Sequence, residues 1–563
     1  MLKHVRFWMM IIAAIMTMAV PGHAQTTSPR IFYLDLTSGP KSGGESNNGT
    51  ILTISGKYFG ASQGSSSVTV GGGVVAVYKS WTDSKIQVAI GASAATGAVV
   101  VTVGGQASSC ANSWEGCNFT VRSGNLYYVA TSGSDSNPGS FASPWRTILK
   151  ARNTMVSGDV AYIENGVNQT SDDGSGWNSA MLIDNNGAAG NPISFVVYPG
   201  ATSTIGGGGP LYGIRTAGNS SHFVFSGFRL LGGGAGVSIE GIDDWRFINN
   251  YFSCPSGNGQ LGCANFAGTS HIEFYGNEVT GDGSVGGQPS KQYHDVYFTT
   301  DDNHVDAGWN NIHNNLACRA IQFHSSPAGG SSGQNQYDLH VHDNVIHDNP
   351  CDGINFATVD PSKGTVEAYN NLIYNVGIGP DPPDGSANYA GIYSADTTNT
   401  GSAGSGAIKI YNNTFYHCGS HTVYGGDNGY INKNGGNSSL TMQLRNNIFQ
   451  GVGGSEVYLA SANGGGLGQI NGDHNEWYGL GAGPSQTSSN VNANPLFVST
   501  GTPDFHLQGT SPAIGAGTAT TTSGYDLDGL LRPSPPSIGA HEYSGIAVAS
   551  KPAAPTGLVA TVN

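Results

Sequence analysis

An all-β chain, with a right-handed parallel β-helix at its centre and a small β-sandwich ahead of it, is the fold class the sequence predicts. Three observations predict it. Only 10% of residues are charged while 86 of the 563 are glycine, a composition of turn-dense β proteins in which helices are scarce. Short strands of alternating apolar and polar residues, broken by Gly and Ser, fill the N-terminal part. Beyond them an Asn-containing turn recurs at intervals of 27 to 42 residues, the self-similarity of a solenoid whose coils pack only on their neighbours.

The chain opens with Lys3, His4 and Arg6, an apolar run from Phe7 to Val20, and small residues at Gly22 and Ala24. This reads as a secretory signal peptide over residues 1–24. The run is shorter than the ~20 apolar residues a membrane span needs, and no later window reaches that length. A soluble, monomeric chain, secreted or held at the cell surface, is therefore expected to start near Gln25. The full sequence has 22 Lys+Arg against 37 Asp+Glu, a formal net charge of −15; Lys3 and Arg6 leave with the leader, so the mature chain holds 20 against 37, a net charge of −17. Nucleic acid is excluded as a partner, because neutralising phosphates requires a basic face. Seven cysteines in an exported chain can oxidise in pairs. Cys110 with Cys117 and Cys254 with Cys263 are near enough in sequence to staple one loop each, leaving Cys418 as a buried free thiol once Cys318 and Cys351 are paired as below.

Residues 29–122 carry the strands Thr50–Ile54, Ser67–Val70, Lys85–Val88 and Val99–Val103, a small β-sandwich. The order Thr37-Ser38-Gly39-Pro40, Ile54-Ser55-Gly56-Lys57-Tyr58-Phe59-Gly60, Val68-Thr69-Val70-Gly71-Gly72, Ser80-Trp81-Thr82-Asp83 and Val101-Thr102-Val103-Gly104-Gly105 resembles an immunoglobulin-like IPT/TIG domain. That resemblance implies a spacer or binding module without chemistry of its own.

The β-helix is expected over residues 125–545. Tyr127 to Gly139, Pro144-Trp145-Arg146-Thr147-Ile148 and Gly158 to Ile163 resemble the opening segment of pectate-lyase-like β-helices, family nine polysaccharide lyases among them. The resemblance implies an extracellular polysaccharide as partner. Trp145 to Met155 has helical spacing and should plug the first coil, since an open end exposes strand edges and apolar stack. Asn250, Asn277, Asn311, Asn344, Asn371, Asn413 and Asn447 should then lie in one line, each amide bonded to those above and below. Residues 490–545, with Asn494-Pro495-Leu496-Phe497, Asp526-Leu527-Asp528-Gly529 and Ile538-Gly539-Ala540-His541-Glu542-Tyr543, resemble the terminal choice-of-anchor segment of bacterial β-helix proteins. Residues 546–563 read as a linker and the first strand of a fibronectin type III module, so the natural chain is expected to run past Asn563.

Register locates the candidate site. The apolar pairs Val237/Ile239, Ala264/Phe266, Val296/Phe298, Ile321/Phe323, Ile354/Phe356 and Ile392/Ser394 are taken as inward, one pair per coil. The residues between them, Ser238, Asn265, Tyr297, Gln322, Asn355 and Tyr393, must then point outward. A flanking column of His294, Arg319, Asp352 and His421 runs beside them, with Asp295 and His324 adjacent. The same register stacks Cys318 on Cys351 at ~5 Å between Cα atoms, within disulfide range.

On this face the leading expectation is a polysaccharide lyase cleaving a uronic-acid-containing glycan by β-elimination. That reaction needs a cation beside the sugar carboxylate, a base for the adjacent proton and an acid for the leaving oxygen. His294, Arg319, His324, Asp352 and Tyr297 are the catalytic candidates; Gln322, Asn355, Tyr393 and Lys291 are the substrate-binding ones. The Lys-plus-Asp calcium signature of family nine lyases has no copy here, Lys291 lying before the strand. The carboxylates of 291–306 leave two main readings open: a solvated acidic turn, or a Ca²⁺ site from Asp295, Asp301, Asp302 and Asp306, Ca²⁺ taking six to eight oxygens. A transition-metal site at His294, His304 and His313 lacks a recognised ligand spacing. Two alternatives to the lyase stand: a non-catalytic carbohydrate-binding or adhesive protein, and a glycoside hydrolase or uronan epimerase on the same fold. A hydrolase would require paired carboxylates ~5–9.5 Å apart, such as Asp295 with Asp352 or Asp301 with Asp302. A cleft holding His294, Asp295, Tyr297, Arg319, His324 and Asp352, roofed by residues 281–309 and 325–338, is the sharpest expectation.

Overall fold

The computed structural model describes residues 28–545 except 219, 242, 258–260, 284–289, 325–335, 386, 397–401, 424–425, 437–438, 462–464 and 521–522. The leader and the C-terminal linker therefore lie outside the described residues. Among the described residues the regular structure is almost wholly strand.

Residues Arg30–Val121 form the two facing sheets of the sandwich. One holds Arg30–Leu34, Ile51–Lys57, Lys85–Ala89 and Val77–Trp81; the other is built around Gly97–Val103, Ser67–Val70 and Asn118–Val121. Their alternation buries Ile54, Val68, Ile86, Val88, Val101 and Phe119 completely between the sheets. Cys110–Cys117 closes a loop at its edge.

The solenoid starts at Leu126–Val129. It is a parallel β-helix of three stacked sheets, here sheets I, II and III, with thirteen, ten and ten strands. Nearly every parallel crossover within one sheet is right-handed, because a twisted strand packs back on its sheet only that way. The plug is the helix Ile148–Thr154, shorter than its spacing suggests. Thr147 caps it, its hydroxyl accepting from the Lys150 amide at 3.1 Å. Ile148, Ala151 and Met155 close the first coil onto the interior core.

Inside sheet II the expected register holds from Val237 to Ile392, each apolar pair facing its counterpart one coil on. Phe266, Phe298, Phe323 and Phe356 consequently stack ring on ring at 4.9, 4.8 and 5.5 Å. The column then turns polar at Ser394 and Lys433.

The Asn ladder is present with one correction. Its members are Asn250, Asn277, Asn310, Asn344, Asn371, Asn413, Asn447 and Asn475, so Asn310 stands where Asn311 was expected. The turn separates two jobs. The residue ahead of each ladder Asn takes the left-handed conformation: Asn249, Gly276, Trp309, Asp343, Asn370, Asn412, Asn446 and His474, at φ between 52° and 62°. Trp309 fills that post in its coil, which shifts the ladder one residue forward and puts Asn311 in the following strand. Each ladder amide donates to the next Oδ1 and to a backbone carbonyl of the preceding coil, as Asn344 does to Asn371 and Ala307.

Two further differences concern what surrounds the stack. Parallel pairing ends at Thr487–Ser488 and the Glu476–Val491 bridge, short of 545; the chain then makes an antiparallel hairpin, Phe497–Ser499 with Asp504–Leu507. Phe497, Phe505, Leu507 and Ile538 pack on Leu372, Tyr374 and Ile448 outside sheet III. The sandwich in turn covers sheet I, its core continuous with the outward Tyr128, Tyr162, Val196 and Val224. Tyr162 donates to the Ile51 carbonyl and accepts from the Ile51 amide. Sandwich and solenoid thus form one compact unit. Among the described residues neither layer covers the outer face of sheet II.

Candidate active site

Sheet II carries three outward columns that stack by backbone register. The central one reads Ser238, Asn265, Tyr297, Gln322, Asn355, Tyr393 and Asn432. To one side His294 lies beside Arg319. To the other, Thr299 lies beside His324. Simple alternation would send Arg319 inward with Ile321. A break in alternation prevents this: successive amides of Ala320 and Ile321 donate to successive carbonyls, Asp352 and Gly353, and the neighbouring strand carries a bulge between Ser290 and His294. Ala320 takes the core position and Arg319 is turned out.

Five of the six converging residues meet here. Arg319 Nε donates to Asp352 Oδ2 at 3.2 Å, and its Nη1 donates to the Lys291 carbonyl at 2.8 Å. Asp352 also accepts from the Asn355 side chain at 2.6 Å and the Ala390 amide at 3.0 Å. Tyr297 Oη lies 3.3 Å from His324 Nδ1, and the His294 ring meets the Tyr297 ring edge-on at 4.6 Å. Cys318–Cys351 ties the two richest coils together with Cα atoms 4.8 Å apart, and Cys254–Cys263 closes the loop ahead of them, both as expected. Cys418 is the buried free thiol.

Electrostatics separate the roles. Burial first, then the Arg319 charge and His324, hold the His294 imidazole well below its usual range. Burial and Arg319 bring His324 down to about 4. Both rings are therefore neutral near pH 7. Burial raises the Tyr297 phenol. It also raises the Asp352 carboxyl, against the opposing pull of Arg319. His294 Nδ1, Gln322 Oε1 and Asn355 Oδ1 are buried polar atoms without a hydrogen-bond partner, an arrangement that usually signals a missing ligand or water. Tyr393 accepts from Asn434 at 2.8 Å. Lys291 is fixed by its backbone, its amide donating to Asp384, while its ammonium lies against Gly385.

The remaining expectations divide. Asp295 is not on this face: it is wholly buried, accepts from Asn349 at 2.5 Å and feels the charge of Asp282, both carboxyls being raised by burial. It therefore cannot pair with Asp352 across a glycosidic bond. Asp301 and Asp302 form the turn just past Thr299, where Asp302 accepts from the Thr269 amide and hydroxyl, both at 2.6 Å. Asp306 belongs to sheet I, held by Tyr275 at 2.9 Å and His342 at 2.6 Å. The four carboxylates proposed for Ca²⁺ thus point to three different places and do not fit one ion. His421 leaves the flanking column as well; its position is taken by Ala390, and His421 bonds to Asp381 at 3.0 Å. Of the two roofing segments, 325–335 and 284–289 lie outside the described residues, and most of 290–308 is strand.

Sequence reading missed two features. Lys433 is fully buried and ion-paired with Asp396 at the far end of sheet II. The outward column of sheet I, Arg246, Glu273, Asp306, His340, Glu367 and Lys409, is a charged ladder. Its signal was available, each member standing between two inward apolar residues, as Arg246 does between Trp245 and Phe247.

Together the fold and this face define a β-helix with a polar, partly charged outer sheet and a docked sandwich. Residues 38–114 match the IPT/TIG domain family. No curated protein is similar in sequence. Among solved structures the chain is similar to pectate lyase Pel9A, at 16% identity over 74% of this chain and 96% of that one, TM-score 0.47. It is also similar to a rhamnogalacturonan lyase, 16% identical over 66% and 90%, TM-score 0.39. An alginate lyase from Paenibacillus sp. str. FPU-7 follows at 12% over 57% and 95%, TM-score 0.38.

Proposed function

We propose that this chain is an extracellular polysaccharide lyase that cleaves a uronic-acid-containing glycan on the outer face of sheet II. The observation that carries the reading is the Arg319–Asp352 pair set within reach of two neutral imidazoles and a phenol. Arg319, steered by Asp352 and the Lys291 carbonyl, offsets the sugar carboxylate and the negative charge that grows on it as the neighbouring C–H bond breaks. His294, with Nδ1 unpartnered, takes that proton. The electron pair forms the C4=C5 double bond while the C4–O bond breaks, and Tyr297 protonates the leaving oxygen. One proton is taken and one given, so transfer from His294 to Tyr297 resets the site. Gln322, Asn355 and Tyr393 extend the polar column along which a chain of sugars would lie. The paired disulfides suit an oxidising, extracellular setting. A hydrolase is disfavoured because Asp295 faces the barrel interior. The test is ultraviolet absorbance of the new double bond on a panel of anionic polysaccharides. Saturable binding without that absorbance would establish a glycan-binding protein in its place.

A further inference from the structure

A second polar cluster lies far from sheet II, in the segment folded against sheet III. His506 Nε2 and His541 Nδ1 approach the same oxygen, Asp528 Oδ2, at 2.6 and 3.0 Å. The three ligand-type atoms lie within 4.8 Å of one another. The two imidazoles face each other with ring centroids 4.2 Å apart. The other nitrogen of His506 is already engaged, Nδ1 standing 2.6 Å from Asp504 Oδ1. Asp528 Oδ2 accepts from both imidazoles, and the same three atoms converge closely enough for one ion to take the place of these contacts.

Ligand chemistry selects the ion. Two imidazoles and one carboxylate are the donor set of a borderline transition ion, not of Ca²⁺ or Mg²⁺, which prefer oxygen throughout. Tetrahedral arms of ~2.0–2.1 Å put ligand atoms ~3.3 Å apart, so the two carboxylate–imidazole edges of 2.6 and 3.0 Å open by less than ~1 Å, and the nitrogen–nitrogen edge lies within 4.8 Å. Asp504 supplies the outer carboxylate that commonly orients a metal-bound His and fixes its tautomer. Lys57 takes the other oxygen of Asp528 and leaves Oδ2 for the ion. His541 is buried while His506 keeps 24% of its side chain exposed, so an ion has a route in and water a fourth position.

We propose that His506, Asp528 and His541 bind one divalent transition ion of the Zn²⁺ class, which staples the hairpin, the 526–529 turn and the 538–543 segment together. The test uses the intact exported chain, stripped with a chelator and titrated with Zn²⁺ and Co²⁺ by calorimetry and absorbance. A single equivalent should bind, raise the thermal midpoint and give the visible d–d bands of tetrahedral Co²⁺. Affinity should fall at least ~10-fold in His506→Gln, His541→Gln and Asp528→Asn, and ~10-fold in Asp504→Asn through the outer carboxylate. His313→Gln, distant from the cluster, should bind as the parent does. Because a variant of this segment can misfold, His506→Cys supplies a direct reading: its Co²⁺ form should add a thiolate-to-metal charge-transfer band. Saturable binding unchanged in the His506→Gln/His541→Gln double variant, no saturable binding in the parent, or a His506→Cys variant without that band would each overturn the site.

Discussion

Arg319 is the side chain on which the proposed elimination turns, and its environment changes how it should be tested. As an exposed charge it would contribute ~0–1 kcal/mol to folding, and its removal would leave stability nearly untouched. Its partner Asp352, however, is fully buried. Arg319→Ala strands that carboxylate and should cost ~3–5 kcal/mol, the penalty of an uncompensated buried charge. The informative variant is Arg319→Gln with Asp352→Asn, which removes both charges. It should lower kcat at least ~100-fold, as losing one preorganised donor does elsewhere, while the thermal midpoint stays within a few degrees of the parent. The histidines make a pH prediction. His324 titrates at about 4 when folded and near its ordinary 6.5 when unfolded, so between those values the unfolded chain binds more protons. Its contribution to stability is therefore fully present above 6.5 and is lost as pH falls toward 4. Replacing it by Gln should flatten the denaturant midpoint across that window.

At the scale of the coil, the ladder and the bulge set the site's geometry. Asn344 accepts from Asn310 and donates to Asn371 and Ala307, all buried. Asn344→Ala leaves those groups unpaired at ~1–3 kcal/mol each. The contrast between neighbours is sharper: Asn310→Ala should destabilise by several kcal/mol in chemical denaturation, and Asn311→Ala by less than ~0.5 kcal/mol as a change in a partly exposed strand residue. Much of this level was legible in the sequence. The apolar pairs of sheet II repeat at one position per coil, so their register and the outward column from Ser238 to Tyr393 could be counted directly. What could not be counted were local breaks in period. Trp309 in a left-handed post moved the ladder by one residue, and the strand around Asp295 turned that carboxylate inward while His294 stayed out. A period of two carries no mark of such a slip.

For the whole molecule, the layers around the solenoid are the main departure from the linear reading. The sandwich is built into sheet I by Arg246, which is ion-paired with Glu115 and Glu273, by Tyr33 on Asn249 and by Phe32 stacked on Trp309. The contacts of Arg246 with Glu115, Tyr33 with Asn249 and Phe32 with Trp309 join residues 131, 216 and 277 positions apart, and no local pattern announces them. Calorimetry should accordingly give one cooperative transition for sandwich and solenoid, and Arg246→Ala should lower its stability by up to ~3–5 kcal/mol, with the half-buried Glu115 and Glu273 left unpaired. The added layers pack on sheets I and III; on sheet II the central column is itself buried, and of the proposed cluster only Arg319 and His324 are part-exposed. The most direct measurement is continuous ultraviolet absorbance of the parent and the Arg319→Gln/Asp352→Asn variant on polygalacturonan, rhamnogalacturonan and alginate. The parent should give a rising absorbance on at least one of these polymers, and the variant a rate at least ~100-fold lower. Equal absorbance from both proteins, or cleavage by the parent that yields only saturated ends, would contradict the proposed elimination.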